Sequence, residues 1–455
     1  MIPLFILLLG ILIVIGMIVW LRINAFVALI TAAMIVSLLS PGAWMDKIGR
    51  VAVAFGNTTG SIGIVIAMAA IIGVTMMASG AADRIVQAFL GLLGKQRGGT
   101  ALTASGFVLS VPVFFDTVFY LLIPLARSMY RQTGRNYLKF VMAISAGGAI
   151  THSLVPPTPG PLVIADNLSI DLGLMILVGA LIALPAAVCG LLFSGWLDRR
   201  MPVEMRPITG VEQEVMSDAP LPGLFASLLP IVLPVVLISG KTILDPIAQA
   251  GGAGSGWAAL SQWTAVLGNP NLALVLAGFA SVALYLHMRR PTREKLGHLL
   301  EQSLMSGGII ILITAAGGAF GAMLKEAQIG PAIQSLFAET SQSSGLVMLG
   351  LGFGIASLLK FAQGSSTVAM ITASAMLAAM VTPDSLGFHI VYLGTAIGSG
   401  ALVGSWMNDS GFWIFAKMGG LTETETLKSW TPLLAVLGIT GGIMTLLLSW
   451  IMPLQ

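Results

Sequence analysis

Hydrophobic residues run along this chain in blocks, and polar residues either separate the blocks or break them from within. Residues 1–21, 51–82, 172–197, 302–324 and 429–455 carry no charge. A helix of about 20 apolar residues spans a hydrocarbon core of about 30 Å. The pattern predicts spans near 3–20, 24–41, 58–80, 173–196, 223–240, 271–288, 303–324 and 432–452. It also predicts two broken spans, 138–168 and 388–416, while 98–127 and 345–381 are too long and too interrupted to be plain spans. The short alternating segments of a β-barrel are absent. The expectation is an all-α polytopic membrane protein.

The breaks come in pairs. Residues 144–165 read ISAGGAITHSLVPPTPGPLVIA and residues 395–416 read TAIGSGALVGSWMNDSGFWIFA. Aligned, Pro159-Gly160 falls on Ser410-Gly411 and Ala165 on Ala416. Upstream of each lies a second interruption, Phe115-Asp116-Thr117-Val118 in one half and Ser365-Ser366-Thr367-Val368 in the other. Val111-Pro112-Val113 precedes the first, and a helix interior tolerates Pro poorly. Ile85–Leu90 further resembles Ala332–Phe337. Paired broken segments at matching places in two halves are the sequence pointer to a transporter's binding site.

Charge orients the halves. If 98–127 and 345–381 are re-entrant hairpins from opposite faces, one face collects Arg22, Arg84, Lys95, Arg97, Arg127, Arg131, Arg135, Lys139, Arg199, Arg200 and Arg206. Arg289, Arg290, Arg293, Lys295, Lys417 and Lys428 join it, and the other face keeps Lys47, Arg50, Lys241 and Lys325. Positive-inside asymmetry then favours two inverted repeats, each with a hairpin and a broken helix, and both termini outside the cytoplasm. The expected organisation is an N-terminal repeat over 1–197, a cytoplasmic linker over 198–222 and a C-terminal repeat over 223–455. Residues 251–261 read as an external loop.

Composition narrows the class. Of 455 residues only 9% are charged, against roughly 25% in soluble domains. The 54 glycines suit close helix packing in a membrane. Basic residues sit in short loops, so the net charge of +3 is no nucleic-acid signature. The single Cys189 excludes an intrachain disulfide and a cysteine metal site. Gly398-Ser399-Gly400 is only a degenerate nucleophile motif, and no phosphate-cradling loop is present, which argues against an enzyme and against ATP-driven transport.

The candidate site follows from the breaks. A half-helix starting near Gly160 or Gly411 presents unpaired N–H groups and a partial positive charge, as the hairpin tips do. Together they suit an anionic or hydroxyl-rich solute. Asp116 stands in an otherwise uncharged run, where a carboxylate needs a cavity or a proton. It is either a coupling or substrate-binding group, or with Thr117 a helix cap. His152 can titrate or be a hydrogen-bonded structural residue. Asp409, beside Asn408 and Ser410, is a cap or a ligand, and Ser365, Ser366 and Thr367 are compatible with both. Pro157, Thr158 and Gly160 complete the substrate-binding set. Asp116, His152 and Asp409 are the candidates to carry a coupling proton. Lys360 either meets a substrate carboxylate or snorkels outward. Asp166, Asn167 and Asp171 read as a solvated helix end, and Glu326 as an interfacial partner of Lys325.

The most specific segments are Thr151-His152 with Pro156-Pro157-Thr158-Pro159-Gly160-Pro161, Gly364-Ser365-Ser366-Thr367-Val368-Ala369, and Gly398-Ser399-Gly400 followed by Asn408-Asp409-Ser410-Gly411-Phe412-Trp413. In these segments the chain resembles the gluconate permease (GntP) family, gluconate:proton symporters of the wider ion-transporter superfamily. The resemblance runs over essentially the whole length. It implies a bacterial inner-membrane secondary transporter of small anionic hydroxy acids, driven by protons, without a cofactor, in an inverted-repeat fold with two hairpins. Scaffold spans would also hold a homodimer together. Family members typically carry Glu where Asp116 stands, His where Thr158 stands and Arg near Lys360. Another aldonate, a shorter hydroxy acid or D-serine therefore stays open as substrate, and sodium as coupling ion. A passive channel is the alternative outside this class.

Overall fold

Long uncharged runs of this kind can satisfy their backbone in a membrane by closing hydrogen bonds within one helix. The computed structural model describes residues 2–21, 23–94, 97–206, 220–251, 263–328, 344–381, 386–407 and 409–454, and its regular structure there is helical. The first half contains α1 (Ile2–Ile15, closed by a π-helical turn at Gly16–Trp20), α2 (Ala25–Leu39), α3 (Asp46–Ser79), α4 (Ala81–Leu93), α5 (Gly98–Leu109), α6 (Phe115–Thr133), α7 (Tyr137–Leu154), α8 (Pro159–Asn167) and α9 (Leu172–Arg200). The second contains α10 (Leu224–Gly251), α11 (Pro270–Arg289), α12 (Arg293–Glu326), α13 (Ser344–Gln363), α14 (Ser366–Ala378), α15 (Val391–Gly400), α16 (Ser410–Gly419) and α17 (Glu423–Ile451). Among the described residues, seven helical segments are long and apolar enough to cross a membrane, with α7 and α8 counted together as 137–167. Residues 207–219 of the linker, 252–261 of the external loop, the 332–337 anchor, Arg22, Lys95 and Asn408 lie outside the described residues.

Several helices outrun their hydropathy. α3 and α12 are each 34 residues long, where apolar runs predict 58–80 and 303–324. Their extra turns are polar, and a helix continues past the apolar slab where its ends are tied. Thr292 accepts from the Lys295 N–H at 3.3 Å at the start of α12. At the start of α3, Lys47 donates to the Leu38 carbonyl at 2.7 Å and Arg50 to Ser37 and Pro41. α17 begins at Glu423 rather than near 432, because Thr422 and Glu425 form a reciprocal capping box. α4 is an amphipathic helix that no uncharged run marks, and Gly80, at φ 84, separates it from α3. Glu326 pairs with Arg50 at 3.5 Å rather than with Lys325, since Arg50 reaches across from α3. Asn167 donates to Ser374 at 2.8 Å, and Asp171 caps α9 at Leu174.

The first arms of the two broken helices form the centre. All of α15 is buried, and along α7 only Lys139 and His152 are not. α5 packs along α7 and α13 along α15. The second arms pack across the halves: α8 lies on α14, and α16 lies on α6. The second arm of each broken helix thus packs on a helix of the other half.

At one end a hydrogen-bond network ties the halves. Arg206 grips both oxygens of Glu425 at 2.6 and 2.7 Å and donates to the Gly420 carbonyl at 3.0 Å. Arg127, 3% exposed, donates to the Arg206 carbonyl at 2.7 Å and to the Tyr137 hydroxyl at 3.0 Å. That hydroxyl donates to the Gly419 carbonyl at 2.8 Å. The bidentate Arg206–Glu425 pair is partly exposed, so Arg206→Ala is expected to cost about 1 kcal/mol. Arg127→Ala removes buried donors and is expected to cost about 2 kcal/mol. Thermal unfolding in detergent ranks the two, and the reverse order would contradict this assignment.

Candidate functional site

Three interruptions of the chain and the last turns of α7, just ahead of the fourth, line one cavity of about 340 Å³. The turn into α6 contributes Phe114, Phe115, Asp116 and Thr117, and the end of α7 contributes Ala149, His152 and Ser153. The start of α14 contributes Ser365, Ser366 and Thr367, and the start of α16 contributes Asp409, Ser410 and Gly411. Ile310, Leu402, Trp430 and Leu434 close the wall.

Each interruption has a local cause. α5 ends at Leu109, just ahead of Val111-Pro112, and α6 starts at Phe115 without a side-chain cap, which leaves its first N–H groups for other acceptors. Gly364 takes φ 81, a left-handed turn that favours glycine, and Ser365 then caps α14 by accepting from the Val368 N–H at 3.3 Å. α7 ends before Val155 and the cis Pro156–Pro157 bond, and α8 begins with Pro159 in its first turn. Asp409 caps α16 by accepting from the Gly411 N–H at 3.0 Å.

Asp409 does more than cap. Its Oδ2 accepts from the Lys360 ammonium at 2.6 Å and from the Ser405 hydroxyl. Trp430 Nε1–H donates to Ser405 at 2.7 Å. Lys360 also donates to the Gly364 carbonyl at 2.5 Å and is 1% exposed. The outward snorkelling of Lys360 is thus corrected: the ammonium turns inward, where Asp409 and the turn carbonyl replace water. The floor is aromatic, with Phe115–Trp430 and Phe415–Trp430 centroids 5.5 and 5.3 Å apart. Phe114 meets His152 edge-on at 6.2 Å. Among the described residues, His152 Nδ1 is buried without a hydrogen-bond partner.

Asp116, Thr117, His152, Ser365, Ser366, Thr367, Asp409 and Ser410 of the expected set therefore meet around one space. Pro157, Thr158 and Gly160 are buried elsewhere. The Thr158 hydroxyl donates to the Val155 carbonyl at 2.7 Å, and a Cβ on Gly160 would strike Met370 of α14 at 2.1 Å. Asn408 lies outside the described residues. The sequence reading, which runs the site from His152 to Gly160, takes in Ser153 but misses Ser405 and Trp430. Trp430 carried a signal, since an indole N–H in an apolar run needs a buried partner.

The sequence profile of the GntP family permeases matches residues 2–451. The chain belongs to the GntP permease family. The low-affinity gluconate transporter of Escherichia coli K12 is 33% identical over 93% of this chain and 92% of its own length. The gluconate permease of Pseudomonas aeruginosa is 32% identical over 95% of this chain and 94% of its own. The solved YdaH transporter of Alcanivorax borkumensis superposes with a TM-score of 0.63 at 15% identity, covering 94% of this chain and 98% of that one, which is a likeness of fold. A GntP permease is a transporter and not an enzyme, and its apolar helices make this one a multi-pass membrane protein.

Proposed function

We propose that this permease imports gluconate or a related small hydroxylated carboxylate by proton symport across the inner membrane of a bacterium. The observation that carries the proposal is the cavity that three chain breaks share with the end of α7, with Asp116 on its wall. Its volume lies at the small end of ligand pockets, about 300–1,000 Å³. The starts of α6, α14 and α16 line it, and the partial positive charge of a helix start suits a carboxylate, while Ser365, Ser366, Thr367 and Thr117 suit hydroxyls. The names of the two curated relatives supply the sugar acid.

Charge supplies the proton. Counted formally, with Asp116 and Asp409 as carboxylates and Lys360 as an ammonium, the groups around the cavity sum to one net negative charge. A monoanion entering alone would double that charge in a medium of low dielectric, which is costly. Entering with one proton, it leaves the buried charge unchanged. Asp116 is our candidate carrier, because it faces the cavity while Asp409 is held by Lys360, Ser405 and Gly411.

In this reading residues 1–197 and 223–455 are inverted repeats, and the hairpins 98–127 and 345–381 move against the remaining spans to give alternating access. The reciprocal packing of α8 on α14 and α16 on α6 supports that pairing. The scaffold spans would hold a homodimer, and both termini would lie outside the cytoplasm. Uptake of labelled gluconate into proteoliposomes should follow an imposed pH gradient and stop when an uncoupler dissipates it. Uptake that persists and follows sodium instead would overturn the proton.

A further inference from the structure

Asp409 is seated as a bound carboxylate would be. Both oxygens are occupied by donors, the Lys360 ammonium and Ser405 hydroxyl on one and the Gly411 amide on the other. An ammonium, a hydroxyl and a first-turn amide form a donor set suited to a free carboxylate. Among the described residues the cavity wall carries two carboxylates and no Lys or Arg. An incoming anion thus meets Asp116 and Asp409, while a cation stands one hydrogen bond behind the wall, engaged by Asp409. An ammonium 1% exposed is costly to keep inside a membrane, by several kcal/mol before its partner compensates.

We propose that Lys360 recognises the carboxylate of the substrate, and that Asp409 is a tethered stand-in for it in the empty transporter. Binding exchanges the Asp409 carboxylate for the substrate carboxylate at the Lys360 ammonium. Asp409 is not stranded by the exchange, because Ser405 and Gly411 still donate to it, and Trp430 holds Ser405 in place. Lys360 also holds the Gly364 carbonyl, so the exchange carries site occupancy to the turn that starts α14. This exchange rests on the carboxylate substrate class proposed above.

Calorimetric titration of the purified full-length protein with gluconate and with gluconamide, its neutral amide, tests it. Asp409→Asn keeps an oxygen for Lys360 but removes the competing charge. It is expected to bind gluconate about tenfold tighter and gluconamide as before. Lys360→Met is expected to bind gluconate at least about tenfold more weakly, level with gluconamide. The double variant Lys360→Met/Asp409→Asn removes both charges of the buried pair, so it serves if a single variant fails to fold, and it should bind both ligands alike. Weaker gluconate binding by Asp409→Asn, or a double variant that still prefers gluconate, would overturn the exchange and leave the substrate class standing. A wild-type protein that binds neither ligand nor any other sugar acid would overturn the substrate class, and the exchange with it.

Discussion

Asp116→Asn is expected to abolish accumulation of substrate against a gradient while leaving binding and exchange in place. Asn keeps the size and a carbonyl oxygen of Asp, so the wall between Phe115 and Thr117 survives, but it cannot take up and release a proton. One unit of pH gradient drives about tenfold accumulation through one coupled proton, since a tenfold ratio corresponds to about 1.4 kcal/mol. In proteoliposomes the wild type should therefore concentrate labelled gluconate about tenfold per pH unit, and the variant should only equilibrate it. Exchange of labelled for unlabelled substrate needs no net proton movement and should persist in the variant. Accumulation by Asp116→Asn at the wild-type level would remove Asp116 from coupling and turn attention to His152, whose Nδ1 is buried without a partner among the described residues.

Gly147→Ala is expected to be the most damaging single methyl in the first half. α5 and α7 cross so closely that a Cβ on Gly147 would lie 2.0 Å from the Thr103 carbonyl oxygen and 2.8 Å from the Phe107 nitrogen. A Cβ on Gly106 would meet the Ile144 carbonyl oxygen at 2.7 Å, so both sides of the crossing are backbone. Backbone cannot rotate away as a side chain can, and the Thr103 hydroxyl bond to the Ala143 carbonyl at 3.0 Å fixes the crossing further. The expected cost is about 3 kcal/mol, the upper part of the usual range for overpacking. Because α7 ends at the cavity, transport should fail as well. Gly354→Ala, in α13, meets nothing within 4 Å and is the control. A melting temperature for Gly147→Ala equal to that of Gly354→Ala would contradict this close crossing.

How much of this was legible beforehand depends on range along the chain. Hydropathy located the apolar helices, because an apolar run reports its own burial without reference to a partner, although α1 and α2, expected as spans over 3–20 and 24–41, are only 14 and 15 residues long. It misplaced the starts of α3, α12 and α17, where capping and tertiary hydrogen bonds continue a helix into polar sequence. The breaks at 110–114, 155–158, 364–365 and 401–409 were legible because Pro, Gly and Asx residues disturb a helix locally. Their meeting at one cavity was an inference from repetition; residues of three of them line the cavity with the end of α7, and 155–158 does not. Partner choice was not legible. Lys360 and Asp409 are 49 positions apart, and nothing in either neighbourhood names the other. The same holds for Trp430 with Ser405. Thr158 and Gly160 carried break chemistry in sequence, yet their side of the turn faces Val155 and Met370.

The central claim is that the cavity where three chain breaks meet the end of α7 is the substrate site, and a structure of the protein saturated with gluconate tests it most directly. The expected result is ligand density in the cavity, with oxygens within hydrogen-bond distance of Asp116, of residues 365–367 and of the start of α16. Gluconate bound at another place, with the space between Asp116 and Ser366 unchanged, would contradict it.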